Sequence, residues 1–169
     1  MIPNLPTDID QIKGFLADDE AQALYQSALE LSAYGPVLEI GSYCGKSTLY
    51  LGLACRSNNS TVFALDHHRG SEEHQLGEFF HDPALYDAGE GIMDTFREFR
   101  RNIRRAGLDD VVVPVVAGSE AGGMKELREA IGRILEFGIG HRFARFRDDD
   151  GGLVGRRGSP CAGVVKGFV

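Results

Sequence analysis

Two glycines and one aspartate carry the spacing of a ligand site. Gly41 and Gly45 lie in the run Val37-Leu38-Glu39-Ile40-Gly41-Ser42-Tyr43-Cys44-Gly45-Lys46-Ser47-Thr48, and Asp66 closes the apolar run Val62-Phe63-Ala64-Leu65. Glycines in a turn let the main chain approach a bound molecule closely. The helix that follows such a turn favours negative charge at its N-terminus, and its free N–H groups also suit a nucleoside with an amino-acid tail. A carboxylate at the end of a second strand can accept both hydroxyls of a ribose. A third set, His67, His68, His74 and His81, shares one segment with Glu72, Glu73 and Asp82. Such a set offers metal ligands or a general base.

Two phosphate-binding motifs are excluded by their spacing. A Walker A loop needs four residues between its first glycine and the Gly-Lys pair; Gly41 and Gly45-Lys46 leave room for only Ser42, Tyr43 and Cys44. The dinucleotide pattern G-x-G-x-x-G fails because Tyr43 stands where its second glycine belongs. Lys46 is therefore read as an exposed first-turn residue and not as a phosphate ligand.

These residues need elements to hold them. Leu24, Ala28, Leu29 and Leu31 mark a helix over 18–34, with Asp18 or Asp19 as its cap and Gly35 as a left-handed stop. Pro36 turns the chain into a buried strand over 37–40, followed by a helix over 47–56 and a strand over 61–66. Strand, turn, helix and strand make one βαβ unit. Residues 67–91 are polar and aperiodic, too long for an ordinary connection. A helix over 92–106 places Phe96, Phe99 and Ile103 on one face and stops at Gly107, and a third strand spans 111–116. Pro114 marks that strand as an edge. The predicted order puts the first strand between the other two. Helical spacing returns over 124–137 and is lost after Gly138.

Composition narrows the class. With 169 residues, 43% hydrophobic and 25% charged, the chain is one soluble globular domain in expectation. A net charge of -7 argues against a nucleic-acid partner. No apolar run approaches the ~20 residues that span a bilayer, and the start MIPNLPTDIDQ lacks the regions of a secretory signal. Three irregularly spaced cysteines, Cys44, Cys55 and Cys161, give neither a disulfide framework nor a zinc site. A cytoplasmic location is the expectation. The charge changes sign along the chain: residues 1–120 hold 9 Lys and Arg against 19 Asp and Glu, whereas 121–169 hold 9 against 6. The expected division is a cofactor-binding domain over 1–137 and an irregular tail over 138–169.

The runs 37–48 and 62–66 together resemble the class I S-adenosylmethionine-dependent methyltransferase family over about residues 35–120, and Asp66 to Gln75 (DHHRGSEEHQ) looks like its small bacterial type. The resemblance implies an α/β fold: a Rossmann-like three-layer sandwich with a mainly parallel sheet, incomplete at its C-terminal end because no counterpart of the family's fourth-strand motif follows. It implies S-adenosylmethionine as cofactor. Gly41, Ser42 and Gly45 would touch it through their backbones, Glu39 would be the acid before the turn, and Asp66 the ribose ligand. Ser119, after the third strand, would lie on the adenine side. The implied activity is methyl transfer to a small-molecule acceptor, with oxygen favoured.

Blander readings stand beside these. The glycines serve any strand-to-helix turn, Asp66 could cap a loop, and Glu39 could be a buried carboxylate bonded to its surroundings. His67 and His68 point to opposite sides of an extended chain, so a shared metal is not expected; a histidine facing substrate is more credible, without the sequence choosing which. No catalytic residue is assigned. Arg97, Arg100, Arg101, Arg104 and Arg105 read as a solvated helix face. The rival functions are a non-catalytic, truncated methyltransferase-like binding domain and another nucleotide-binding α/β enzyme.

Overall fold

The computed structural model describes residues 8–118 and the backbone of three short strands at 146–147, 153–154 and 164–166. The first helix, α1 (Asp18–Leu31), carries Asp18, Asp19 and Glu20 in its first turn, where the helix dipole favours negative charge. Its cap differs from expectation. Ala17 occupies the N-cap, and its N–H is taken by the Glu20 carboxylate at 3.0 Å. The helix also ends short of residue 34, and Gly35 is not among the residues with positive φ. Tyr34 N–H bonds to the Leu31 carbonyl at 3.0 Å, so a tight turn replaces the glycine stop.

The next elements fall close to their predicted places: β1 (Val37–Ile40), α2 (Lys46–Ser57), β2 (Val62–Asp66), α3 (Phe96–Arg105) and β5 (Val112–Val116). Strand β1 pairs parallel with β2, Val37 opposite Val62, and β2 pairs parallel with β5, Val62 opposite Val112. A further strand, β8 (Val164–Lys166), pairs parallel with β1 from Leu38 opposite Val164. The order in the sheet is β5-β2-β1-β8.

That order corrects the prediction that β1 would lie between β2 and β5: β2 holds that place. Helix α3 packs beside α2 on the same face, with Phe99 and Ile103 in one core with Leu49 and Leu51. The connection from β2 therefore returns on the outer side of β2 and lays β5 there. Among the described residues Pro114 in β5 has one neighbouring strand, β2, where it stands opposite Ala64, as its missing donor requires. Strand order reverses at β1, which puts the ligand crevice of a doubly wound sheet at the carboxyl end of β1.

The strands alternate faces with a period of two. Val37, Val62 and Ala64 join α1, α2 and α3 in one core, whereas Leu38, Ile40, Phe63, Leu65 and Val115 cluster on the other face. Helix α2 is buried along Thr48 to Cys55, as suits a helix packed between α1, the sheet and α3.

The long polar segment 67–91 is folded. It holds 3₁₀ turns at Glu72–His74 and Pro83–Leu85, and strand β3 (Tyr86–Asp87), which pairs antiparallel with β4 (Ile92–Met93). Leu85 and Met93 form a small core with Cys44. The start of the predicted 92–106 helix is thus a strand, because Met93 is drawn into that core. Strands β6 (Phe146–Arg147) and β7 (Leu153–Val154) form an antiparallel pair. The helix expected over 124–137 and most of the tail expected over 138–169 lie outside the described residues. Within that tail, β8 is a strand that hydropathy spacing did not suggest. Among the described residues no helix is long and apolar enough to cross a membrane.

Candidate functional site

The turn from β1 to α2 is built from residues that are rarely left-handed without cause. Gly41 has φ 83°, Tyr43 φ 46° and Gly45 φ 90°. A tyrosine in that region costs roughly 1–2 kcal/mol and must be held there. Tyr43 N–H donates to Asp66 Oδ2 at 2.7 Å, and the other carboxylate oxygen accepts His68 N–H, also at 2.7 Å. Asp66 thus ties the Gly turn to the chain leaving β2. The loop-capping reading of Asp66 is realised, while each oxygen keeps a further lone pair and the residue lines a cavity.

Glu39 lies beneath the turn, fully buried. Its two oxygens accept Ser47 Oγ–H at 2.5 Å and Thr48 Oγ1–H at 2.6 Å. Burial pushes its carboxyl up to about 7, against those two hydrogen bonds, which pull it down. The residue fixes the first turn of α2 from below, and what it presents to the site is the placement of Ser47. Gly45 is also buried, and a Cβ there would come within 3.1 Å of Phe99 Cδ2. It lines neither cavity at the turn; its missing side chain makes room for α3.

Two cavities meet at Gly41 and Tyr43. One runs over the turn between Ser42, Lys46 and Ser47 on one side and the strap Lys13–Leu16 on the other, with His74 at its end. The second, of about 180 Å³, is bounded by Leu65, Asp66, His67, Gly70, Ser71 and Thr95. Ser42 is 2% exposed, and its Oγ has no hydrogen-bond partner among the described residues. Buried hydroxyls are normally paired, so this hydroxyl is left available to a bound molecule. Lys46 is not freely exposed as predicted. It is half-buried in the first cavity, because Gly14 of the strap lies against its stem.

The structure therefore brings Gly41, Ser42 and Asp66 to one crevice and leaves Glu39 and Gly45 as its supports. Ser119 lies outside the described residues. Sequence reasoning missed two contributors, Asn102 and the strap Lys13–Leu16, and left a third, His74, undistinguished among four histidines. Asn102 donates its Nδ2–H to the Cys44 carbonyl at 2.9 Å and is buried; its being the one uncharged polar residue between Phe99 and Ile103 was its only signal. His74 is buried beside Tyr43, ring centroids 5.4 Å apart. The strap Lys13–Leu16 had no signal, since it acts through position alone.

The histidines separate as their spacing suggested. His67 is exposed and His68 buried. His68 Nδ1 lies 2.8 Å from Thr95 Oγ1, and the ring sits against Phe96 and Phe99, at 4.9 and 5.2 Å. Burial holds its pKa below the ordinary imidazole value, opposed in part by Asp66 and Asp94. Among the described residues no group of three His, Cys, Asp or Glu side chains converges as a metal ion would need. The five arginines of α3 are all exposed.

A parallel sheet with a glycine turn at its switch point and an acid at the neighbouring strand end defines a nucleotide- or nucleoside-binding α/β domain. Residues 38–139 match the family model described as a methyltransferase domain, and the chain belongs to that family. Three solved structures resemble it. Cofactor-bound Rv0187 from MTB is 21% identical, with 73% of this chain and 44% of that chain covered and a TM-score of 0.44. The O-methyltransferase from Bacillus cereus in complex with SAH is 19% identical, with 79% and 46% covered and a TM-score of 0.45. TomG from Streptomyces achromogenes, an O-methyltransferase of tomaymycin synthesis in complex with SAM, is 14% identical, with 76% and 42% covered and a TM-score of 0.44. The chain spans less than half the length of each.

Proposed function

We propose that this chain binds S-adenosylmethionine across Gly41 and Tyr43 and serves methyl transfer to a small-molecule acceptor, with an acceptor oxygen favoured. The observation that carries the reading is the orphaned, buried Ser42 Oγ in a crevice that ends at Asp66. The residues fit the cofactor. The amino-acid end would lie over the turn, where Ser42 and the α2 N-terminus offer donors, and the ribose would lie at Asp66, whose spare lone pairs accept hydroxyls. Bound there, the cofactor supplies an electrophilic methyl on a sulfonium, a good leaving group. The protein's share is to orient the reactants and exclude water.

Calorimetric titration with S-adenosylhomocysteine, S-adenosylmethionine, NAD and ATP tests the reading, on variants whose folding is checked by circular dichroism. The first two ligands bind and the last two do not. Asp66→Ala weakens binding by about 1.5–3 kcal/mol, the worth of a charge-assisted acceptor. Gly41→Val does worse, because a β-branched residue resists φ 83°. Lys46→Ala weakens binding less than Asp66→Ala does, because Lys46 lines the cavity over the turn and not the ribose end at Asp66. Loss of binding in Lys46→Ala with retention in Asp66→Ala would make the turn a phosphate cradle and refute the proposal.

A further inference from the structure

A third cavity, of about 310 Å³, continues from the one over the Gly turn: both are lined by Lys13, Gly14, Phe15, Tyr43 and His74. Its other walls include Phe79, Phe80 and His81. About 150 Å³ is enough to hold a benzene ring. Three of its aromatic side chains face solvent, with Phe15 65%, Phe79 91% and Phe80 41% exposed. They form one patch, Phe15 edge-on to Phe80 at 5.5 Å and Phe79 edge-on to Phe80 at 5.1 Å. Clustered exposed aromatics mark a binding surface, and their free faces and edges suit a planar ring.

The two imidazoles of this cavity differ in what they can offer. His74 Nδ1 receives the Ser71 backbone N–H at 3.3 Å and lies 2.8 Å from Ser71 Oγ. A backbone N–H only donates, so that nitrogen is bare and the neutral ring carries its proton on Nε2. His81 Nδ1 lies 3.1 Å from the His74 carbonyl, which only accepts. Its Nδ1 therefore holds the proton and Nε2 carries the free lone pair. His74 is a hydrogen-bond donor; His81 is a base. The charged groups beside His81 are Asp82, next in the chain, and Lys13, ion-paired to Asp82; the Tyr86 ring lies edge-on at 5.4 Å.

We propose that this cavity is the acceptor site, that its substrate is a small planar phenol held on Phe15, Phe79 and Phe80, and that His81 is the catalytic base that takes the phenolic proton. This rests on the methyl-transfer reading above and names its acceptor. In the step, the phenolic proton passes to His81 Nε2. The oxygen's electron pair forms the bond to the methyl carbon, and the carbon–sulfur pair returns to sulfur, leaving a methyl aryl ether, a neutral thioether and an imidazolium. A positioned base of this kind is worth about 10²–10⁴-fold in rate.

The test uses the full chain and 4-nitrophenol, whose ionised form absorbs visible light. The probe binds without cofactor, and its phenolate band grows at a fixed pH as the site fills. Phe79→Ala and Phe80→Ala each weaken binding about five- to tenfold. His81→Asn keeps a donor for the His74 carbonyl, so it binds the probe within about threefold but loses the phenolate gain, and turnover with S-adenosylmethionine falls at least ~100-fold. S-adenosylhomocysteine binding is measured on the same samples. If it fails while the His81-dependent phenolate signal persists, the acceptor site stands and the methyl-transfer reading falls. If it succeeds while the probe does not bind, or binds regardless of Phe79, Phe80 and His81, the acceptor site is overturned. A change of sedimentation in Phe79→Ala, with no probe binding to the parent, would make the patch a contact between copies and overturn it too.

Discussion

Glu39→Gln isolates one buried charge and its pH dependence. The Glu39 carboxyl sits at about 7 in the folded chain instead of its ordinary 4.5, chiefly because burial removes its water. At about 1.4 kcal/mol per pH unit, that difference is worth about 3 kcal/mol, with no discount for solvent because the group is fully buried. A raised folded value means the folded state holds the proton more tightly than the unfolded chain. The stabilisation is complete below about pH 4.5 and is lost as pH rises through about 7. Glutamine keeps the shape, accepts from one of Ser47 and Thr48 and donates to the other, and cannot ionise. Urea unfolding of both proteins, followed by far-ultraviolet circular dichroism from pH 4.5 to 8.5, gives the difference in stability at each pH. The parent should lose about 3 kcal/mol relative to Glu39→Gln across that range, with the curve flattening above pH 8. A flat difference, or one that rises with pH, would refute the claim that Glu39 is dry and held only by two hydroxyls.

Gly45→Ala forces a side chain into φ 90° and toward Phe99; it should destabilise by about 1–3 kcal/mol in urea unfolding, and a neutral result would mean α3 is not packed on the turn. Asn102→Ala strips the Cys44 carbonyl of its buried donor, which should cost about 1–3 kcal/mol and weaken S-adenosylhomocysteine binding; unchanged stability and binding would show that the bond does not hold the turn. His68, buried against Phe96 and Phe99, should stay neutral in imidazole NMR titration at pH values where an ordinary imidazole is charging. Its contribution to stability is present above the ordinary imidazole pKa and is lost as pH falls below it, and titration of His68 at the ordinary imidazole value would contradict its placement.

Local residue chemistry set the elements and the place of the crevice. Apolar runs of four and five residues bounded by Pro36, Gly41 and Asp66 could be little else than short buried strands, and a glycine turn between strand and helix sits at a strand's carboxyl end wherever the strand lies. Pro114 named its own strand as an edge because a missing N–H is a local fact. Strand order was decided by tertiary packing: whether β5 adds beside β1 or β2 depends on which side of α2 accepts Phe99 and Ile103, and no spacing encodes that. The division between residues that line the crevice and residues that support it was likewise tertiary. Glu39 and Gly45 carry the same motif signal as Gly41 and Ser42, yet burial under α2 and contact with α3 make them supports, while Ser42 is left unpaired in the crevice. The roles of His74 and His81 were undecidable from the chain, because an imidazole's free nitrogen is set by the partner of the other one. Those partners, a backbone N–H for His74 and a carbonyl for His81, exist only once residues 67–91 fold over the turn.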